Sequence, residues 1–384
     1  MGELNNETQA AIAGREQAGG SLAPPLWATT AFSSIDPAEA AQSAASTRPT
    51  RFYTRYGNPT INAFEQAIAS LEGAEAALAF GSGMGAIAST VLALCSQGDH
   101  VVAQRQLYGG TLFFLQTVCP RFGIEVTFVD ATEPGAFRSA VRPGRTMLVL
   151  AETPSNPRLA VADLEELGSI RGPYTAVDST FATPMVQRPL DFGVSLVLHS
   201  ATKAIAGHND ATLGVIAGSS DLVDAVWGYA TLHGAVASPF DSWTALRGVR
   251  TLGVRVERMA ASALVLARFL EAHPAVASVD YPGLDSHPQH SIVQRQMDNG
   301  GGMLSFELRD AERAHAVLAA LQLIRVATSL GGPDTLMCHP ATTTHAGLGP
   351  ELQSAIGVTP GLLRVSVGLE HVDDLLADLG HALG

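Results

Sequence analysis

The chain has 384 residues, of which 46% are hydrophobic and 15% charged, with 38 glycines and 21 prolines. That composition is typical of a compact α/β protein and excludes a disordered or fibrous one. Its 23 Lys and Arg against 36 Asp and Glu leave a net charge of -13, which argues against a nucleic-acid or anionic-membrane partner.

Cys95, Cys119 and Cys338 show neither CxxC spacing nor a secreted framework, so neither structural zinc nor disulfides are expected. No apolar stretch approaches the ~20 residues that a bilayer requires. The N-terminus lacks the basic start, apolar core and cleavage site of a secretory signal, which predicts a cytoplasmic protein.

Residues 1–50 are rich in Ala, Ser and Gly and read as an extended arm with one short helix over 37–46. Ala63, Phe64, Ala67, Ile68 and Leu71 have helical spacing closed by Gly73, predicting a helix over 62–71. Phe80-Gly81-Ser82-Gly83-Met84-Gly85 then leads into a helix over 86–95. Short β-rich runs follow at 100–103, 125–129, 146–151, 174–177 and 194–198, separated by helix-length segments. This alternation is the signature of a mostly parallel sheet with crossover helices.

One long helical pattern covers 244–270 and is expected to lead into a smaller C-terminal α+β unit. That unit has strands at 302–308, 323–327 and 362–367 and helices at 311–321 and 371–383. The expected division is an arm over 1–52, a large domain over 53–245 and a C-terminal domain over 246–384.

Polar residues collect where the predicted strands end: Tyr108, Asn156, Asp178 and the run Ser200-Ala201-Thr202-Lys203. In open α/β sheets, ligands bind beyond the carboxyl ends of the strands. A lysine amine beside small hydroxyl residues suits a phosphorylated aldehyde cofactor, which points to pyridoxal phosphate (PLP). Backbone amides of the run Phe80 to Gly85, at a helix N-terminus, can hold an anion, although a Gly-rich run before a helix also serves as a plain tight turn.

Asp178 precedes Lys203 by one crossover unit; it can keep a pyridine nitrogen protonated, or simply cap a helix. Tyr108 can stack on a ring and offer its hydroxyl as acid or base, or merely pack. Arg364 is a charge inside an apolar strand and needs an anion, either a substrate carboxylate or an internal acid. His208, His339 and His345 match no metal-ligand spacing, so no metal is expected.

The segments Tyr53-Thr54-Arg55-Tyr56-Gly57-Asn58-Pro59-Thr60, Leu107-Tyr108-Gly109-Gly110-Thr111, Asn156-Pro157, His199-Ser200-Ala201-Thr202-Lys203, Ser329-Leu330-Gly331-Gly332 and His339-Pro340-Ala341 add specificity. With them the chain resembles the Cys/Met-metabolism PLP enzymes: cystathionine γ-synthase, cystathionine γ-lyase and methionine γ-lyase. The resemblance implies the aspartate-aminotransferase-like fold (fold type I), a mostly parallel central sheet plus a smaller C-terminal α+β domain.

It implies that Lys203 carries the cofactor covalently and that Ser200, Thr202 and the Gly83 and Met84 amides hold its phosphate. Tyr108 would stack on the ring, Asp178 would pair with its nitrogen, and Asn156, Ser329 and Arg364 would hold the substrate. Tyr53 and Arg55 match a pair that reaches a neighbouring subunit's phosphate, implying a homodimer, usually paired into a tetramer.

The implied reaction is γ-elimination or γ-replacement on a homoserine- or methionine-type amino acid, with β-elimination from cystathionine or cysteine as the alternative. Thr328 and Phe52 stand where relatives handling cystathionine commonly have acidic residues. Gly110 stands where methionine γ-lyases usually have Cys. Ala204 and Ser179 replace a usual aromatic and a usual Asn.

Overall fold

The computed structural model describes residues 4–34 and 36–384, so residues 1–3 and 35 of the expected arm lie outside it. Seven strands form the larger sheet: β1 (Ala76–Phe80), β2 (His100–Gln104), β3 (Glu125–Val129), β4 (Thr146–Glu152), β5 (Tyr174–Asp178), β6 (Leu196–His199) and β7 (Gly214–Gly218). Their order is β1-β7-β6-β5-β4-β2-β3, and β7 is antiparallel to both of its neighbours while the others run parallel. The carboxyl ends of β1, β2, β4, β5 and β6 therefore open on one edge, where a ligand can meet loops from all five.

Alternation fixes the two faces. Leu196 and Leu198 pack with the helix Gly83–Leu94 side of the core, whereas Val197 packs with the helix Pro59–Glu72 side. The latter helix starts where the Asn58 side chain accepts from Thr60 N at 2.9 Å and Pro59 opens the first turn. It stops at Gly73, whose φ of 66° is the left-handed conformation of a helix C-terminus.

Strands β1 and β7 escape the sequence reading. Three of the five residues in β1 are alanines and β7 begins and ends with glycine, so intrinsic β-propensity is low. Every residue of both strands is buried, β7 between β1 and β6 and β1 at the sheet edge against β7. Gly214 has a steric reason to be glycine, since a Cβ there would lie 2.1 Å from Ser82 O.

The expected 244–270 helix is two helices, Pro239–Val249 and Leu252–Ala272. Leu246, Val249, Leu252 and Val256 all pack in one core, so the periodicity runs through the break at Arg250 and Thr251 without marking it. The second helix continues into another core, where Ala263, Leu266 and Leu270 pack under a five-stranded sheet. Its strands are β8 (Val276–Asp280), β9 (Met303–Leu308), β10 (Arg325–Val326), β11 (Leu336–Cys338) and β12 (Leu362–Ser366), ordered β10-β11-β12-β9-β8. A short N-terminal helix, Asn6–Ala11, also went unread; it lies on its own chain, with Ser70 Oγ donating to Gln9 Oε1 at 2.7 Å.

β1 is an edge strand, and Glu65 covers part of that edge by accepting from Ala79 N at 2.8 Å. Burial pushes the Glu65 carboxyl up to about 7, opposed by that hydrogen bond and by Arg48. Because the folded value lies above the unfolded 4.5, the protonated side chain stabilises the fold at low pH and that contribution is lost as pH rises from 4.5 to about 7. Glu65→Gln should therefore gain about 1–3 kcal/mol over the parent at pH 8 relative to pH 5. Asn62 Nδ2 donates to Glu65 Oε2 at 3.2 Å, and turning the Asn62 amide over would present its unpartnered Oδ1 to the new amide. Urea midpoints at the two pH values check this, and an unchanged difference between variant and parent would refute it.

Candidate active site

Beyond the carboxyl edge lies a cavity of about 360 Å³ lined by Gly83, Met84, Tyr108, Asn156, Asp178, Ser200, Thr202, Lys203, Ser329 and Arg364. Ten of the residues singled out by sequence thus meet in one space. Tyr53 and Arg55 lie outside it. Arg55 donates to Thr231 O at 3.0 Å and lies over the Tyr53 and Tyr56 rings, and Tyr53 is 42% exposed.

The first wall is the N-terminus of helix Gly83–Leu94, where the Ser82 side chain accepts from Gly85 N at 3.0 Å. Gly83 and Met84 are in the first turn, where N–H groups have no intrahelical acceptor. A Cβ on Gly83 would lie 2.8 Å from Ser200 Cβ, so the glycine leaves a cradle between helix and loop. Ser200 N donates to Thr180 Oγ1 at 2.8 Å. The Thr202 hydroxyl is engaged with Leu213, donating to its carbonyl at 3.1 Å and accepting from its N–H at 2.9 Å.

Two buried carboxylates face each other across β4 and β5, where Glu152 pairs in register with Asp178. Burial and then the Asp178 charge raise Glu152 well above the usual range. Burial raises Asp178 as well, opposed by hydrogen bonds from Thr180 and by His199. Glu152 was missed by sequence reading, yet its Oε2 accepts from Tyr108 N and its Oε1 from Asn156 N, both at 2.8 Å. Its position as the one polar residue ending an apolar run was the available signal. Thr180, two residues beyond Asp178, was missed likewise.

Lys203 Nζ donates to Ser329 Oγ at 3.0 Å. Burial and then Arg364 hold this amine below the ordinary lysine value. Ser329 sits at φ 85°, a left-handed conformation that costs a non-glycine residue about 1 kcal/mol and is typically kept where a site needs it. Arg364 comes from the central strand β12; Nη1 donates to Asn156 Oδ1 at 2.9 Å and Nη2 to Ser329 O at 3.2 Å. Its Nε is buried without a partner.

Among the described residues no group of three or more His, Cys, Asp or Glu is placed to hold a metal ion. His208 faces Ala206 O, and His339 bridges Thr342 and Pro360. Burial and then Arg364 push His345 down to about 4. A larger cleft of about 600 Å³ beside residues 4–9 is lined by Arg188 and Arg295, whose charges pair with Asp191 and Asp163, so nothing there converges on a ligand.

The sequence pattern of the Cys/Met metabolism PLP-dependent enzymes matches residues 7–384. The chain belongs to that family. It is 43% identical to L-methionine gamma-lyase of Pseudomonas putida over 95% of this chain and 93% of the relative. It is 40% identical to O-succinylhomoserine sulfhydrylase of Pseudomonas aeruginosa over 93% and 90%. The crystal structure of cystathionine gamma synthase from Xanthomonas oryzae pv. oryzae superposes with a TM-score of 0.93 at 36% identity, covering 99% of this chain and 98% of that one.

This member of the Cys/Met-metabolism family is thus a PLP-dependent carbon–sulfur lyase or γ-replacement transferase of fold type I. Its cavity fits the cofactor on structural grounds: a glycine cradle beside helix N-terminal amides, an amine held below the ordinary lysine value by burial and Arg364, and a buried carboxylate at a strand end. The unpartnered Arg364 Nε fits a carboxylate-bearing amino acid. No helix among the described residues is long and apolar enough to cross a membrane.

Proposed function

We propose that this enzyme removes or exchanges an uncharged substituent at Cγ of a methionine- or homoserine-type amino acid. One observation carries the reading: of the cavity's two carboxylates, Glu152 has both oxygens engaged by Tyr108 N and Asn156 N, and Asp178 is the one this reading gives to the cofactor's ring nitrogen, which leaves no acid for a distal ammonium such as that of cystathionine. Thr328, at the cavity wall, has no charge to contribute.

Lys203 would carry the cofactor, with Ser200, Thr202 and the Gly83 and Met84 amides around its phosphate and the Tyr108 ring against its own ring. Pyridoxal phosphate, when bound, supplies an electron sink for negative charge developing at substrate carbons. Asp178 would keep a pyridine nitrogen protonated. Arg364 would take the substrate carboxylate as a fork, with Asn156 and Ser329 fixing its orientation. Lys203, released from its covalent duty, would move protons between substrate carbons, and the Tyr108 hydroxyl would serve beside it.

Tyr53, exposed, and Arg55, half-buried, both lie outside their own cavity and would complete a neighbouring copy's phosphate site, which would make the working unit a homodimer, paired into a tetramer. The arm over 1–52 would lie against that neighbour, with a large domain over 53–245, a C-terminal domain over 246–384, and the whole assembly in the cytoplasm.

A substrate panel tests the reading. Methionine and water should give methanethiol, 2-oxobutyrate and ammonia, and O-acetylhomoserine with a thiol should give a thioether and acetate. Cystathionine should show kcat/KM about 10- to 100-fold lower. Pyruvate from cystathionine or cysteine as the dominant product would overturn it.

A further inference from the structure

Arg255 is 4% exposed, and among the described residues its hydrogen-bond partners are three carbonyls and a hydroxyl. Nη1 donates to Ala204 O at 2.7 Å, Nη2 to Gly248 O at 2.7 Å and to Ile205 O at 3.4 Å, and Nε to Thr251 Oγ1 at 3.1 Å. Burial alone pushes it down, to about 10, so it stays charged near neutrality. A buried cation without a carboxylate is expensive, and an apolar side chain would fill the space at lower cost. Its presence therefore asks for a reason beyond packing.

Two of the three carbonyls it holds belong to the two residues that follow Lys203, and the third, Gly248 O, belongs to the neighbouring helix Pro239–Val249. Two glycines clear the space: a Cβ on Gly207 would lie 1.9 Å from Arg255 Nη1, and a Cβ on Gly248 would lie 2.1 Å from Ala206 O. The turn is closed on itself by Lys203 N donating to Ser200 O at 3.1 Å and Gly207 N donating to Lys203 O at 2.8 Å. From the other side Gly331 approaches so closely that a Cβ there would be 2.4 Å from Ala204 N.

The helix bearing Arg255 runs from the core of the larger sheet to that of the smaller one, whose strand β12 carries Arg364. We propose that Arg255 is a positioning residue: by holding the Ala204 and Ile205 carbonyls it fixes the turn that aims the Lys203 amine into the cavity. The proposal rests on Lys203 being the cofactor-bearing lysine.

Full-length Arg255→Met and Arg255→Lys proteins, stripped of cofactor, separate positioning from general structure. Pyridoxal 5′-phosphate joins the Lys203 amine with loss of one water; pyridoxine 5′-phosphate has an alcohol in place of the aldehyde and binds only through phosphate and ring. Arg255→Met should bind pyridoxine 5′-phosphate within about twofold of the parent. It should form the borohydride-reducible link to Lys203, and turn over, about 10- to 100-fold more slowly with little change in KM.

Arg255→Lys should recover part of the loss. If Arg255→Met does not fold, Arg255→Gln, which keeps one side-chain amide donor for the turn, should show the same selective loss. Unchanged linking and turnover rates, or equal weakening toward both cofactor forms, would overturn the proposal. A parent protein that traps no cofactor at Lys203 would overturn the functional reading as well, so the two failures are distinguishable.

Discussion

Lys203→Ala should reduce turnover about 10⁴-fold at saturating cofactor, because one amine both carries the cofactor and moves the substrate's protons. Affinity for pyridoxine 5′-phosphate should survive, since phosphate and ring contacts come from other residues. Burial first and Arg364 second lower the Lys203 amine from the ordinary 10.5. The neutral amine is the reactive form, so cofactor uptake by the stripped protein should climb with pH and level off below 10.5 rather than above it. Arg364→Ala removes the second cause and should move that profile to higher pH. A Lys203→Ala protein within tenfold of parent turnover would refute the assignment.

The fold was legible where strands are runs of apolar and β-branched residues. The strand read at 146–151 proves to be Thr146–Glu152, and that read at 125–129 is Glu125–Val129. It was illegible where tertiary packing overrides propensity. Gly214–Gly218 begins and ends in glycine because Ser82 O and Ser195 O approach closely there, a constraint that appears only once the sheet is assembled, and the alanine-rich Ala76–Phe80 forms a strand by pairing with it. The break at Arg250 and Thr251 left no mark in the hydrophobic period because both helices bury the same face.

The cavity residues were legible because strand-end polarity carries chemistry in an open α/β sheet. Glu152 carries the same strand-end signal, but its role went unassigned because its work is done through backbone N–H groups of Tyr108 and Asn156, and no spacing rule reports such a contact. Had Glu152 been apolar, the buried Asn156 N–H would lose its acceptor, at about 1–3 kcal/mol, and the less buried Tyr108 N–H would lose its own at smaller cost. Arg255 is hidden for the same reason: in sequence it is a charge on an amphipathic helix, and only the folded chain shows it turned inward onto Ala204 and Gly248.

Arg364→Ala should raise KM for an amino-acid substrate about 100- to 1000-fold, with a smaller effect on kcat. The side chain is 2% exposed, two of its nitrogens are anchored by Asn156 and Ser329, and Nε is left unpartnered, an arrangement of a fixed fork with a donor in reserve. A fork in this state is preorganised for a carboxylate, so its ordering cost is met before substrate arrives. Arg364→Lys should retain charge and lose the fork, and fall between parent and alanine variant. The amine of methionine lacking its carboxylate isolates the interaction: parent and Arg364→Ala should process it about equally, and a variant as impaired toward that amine as toward methionine would show that Arg364 supports the site by some route other than the carboxylate.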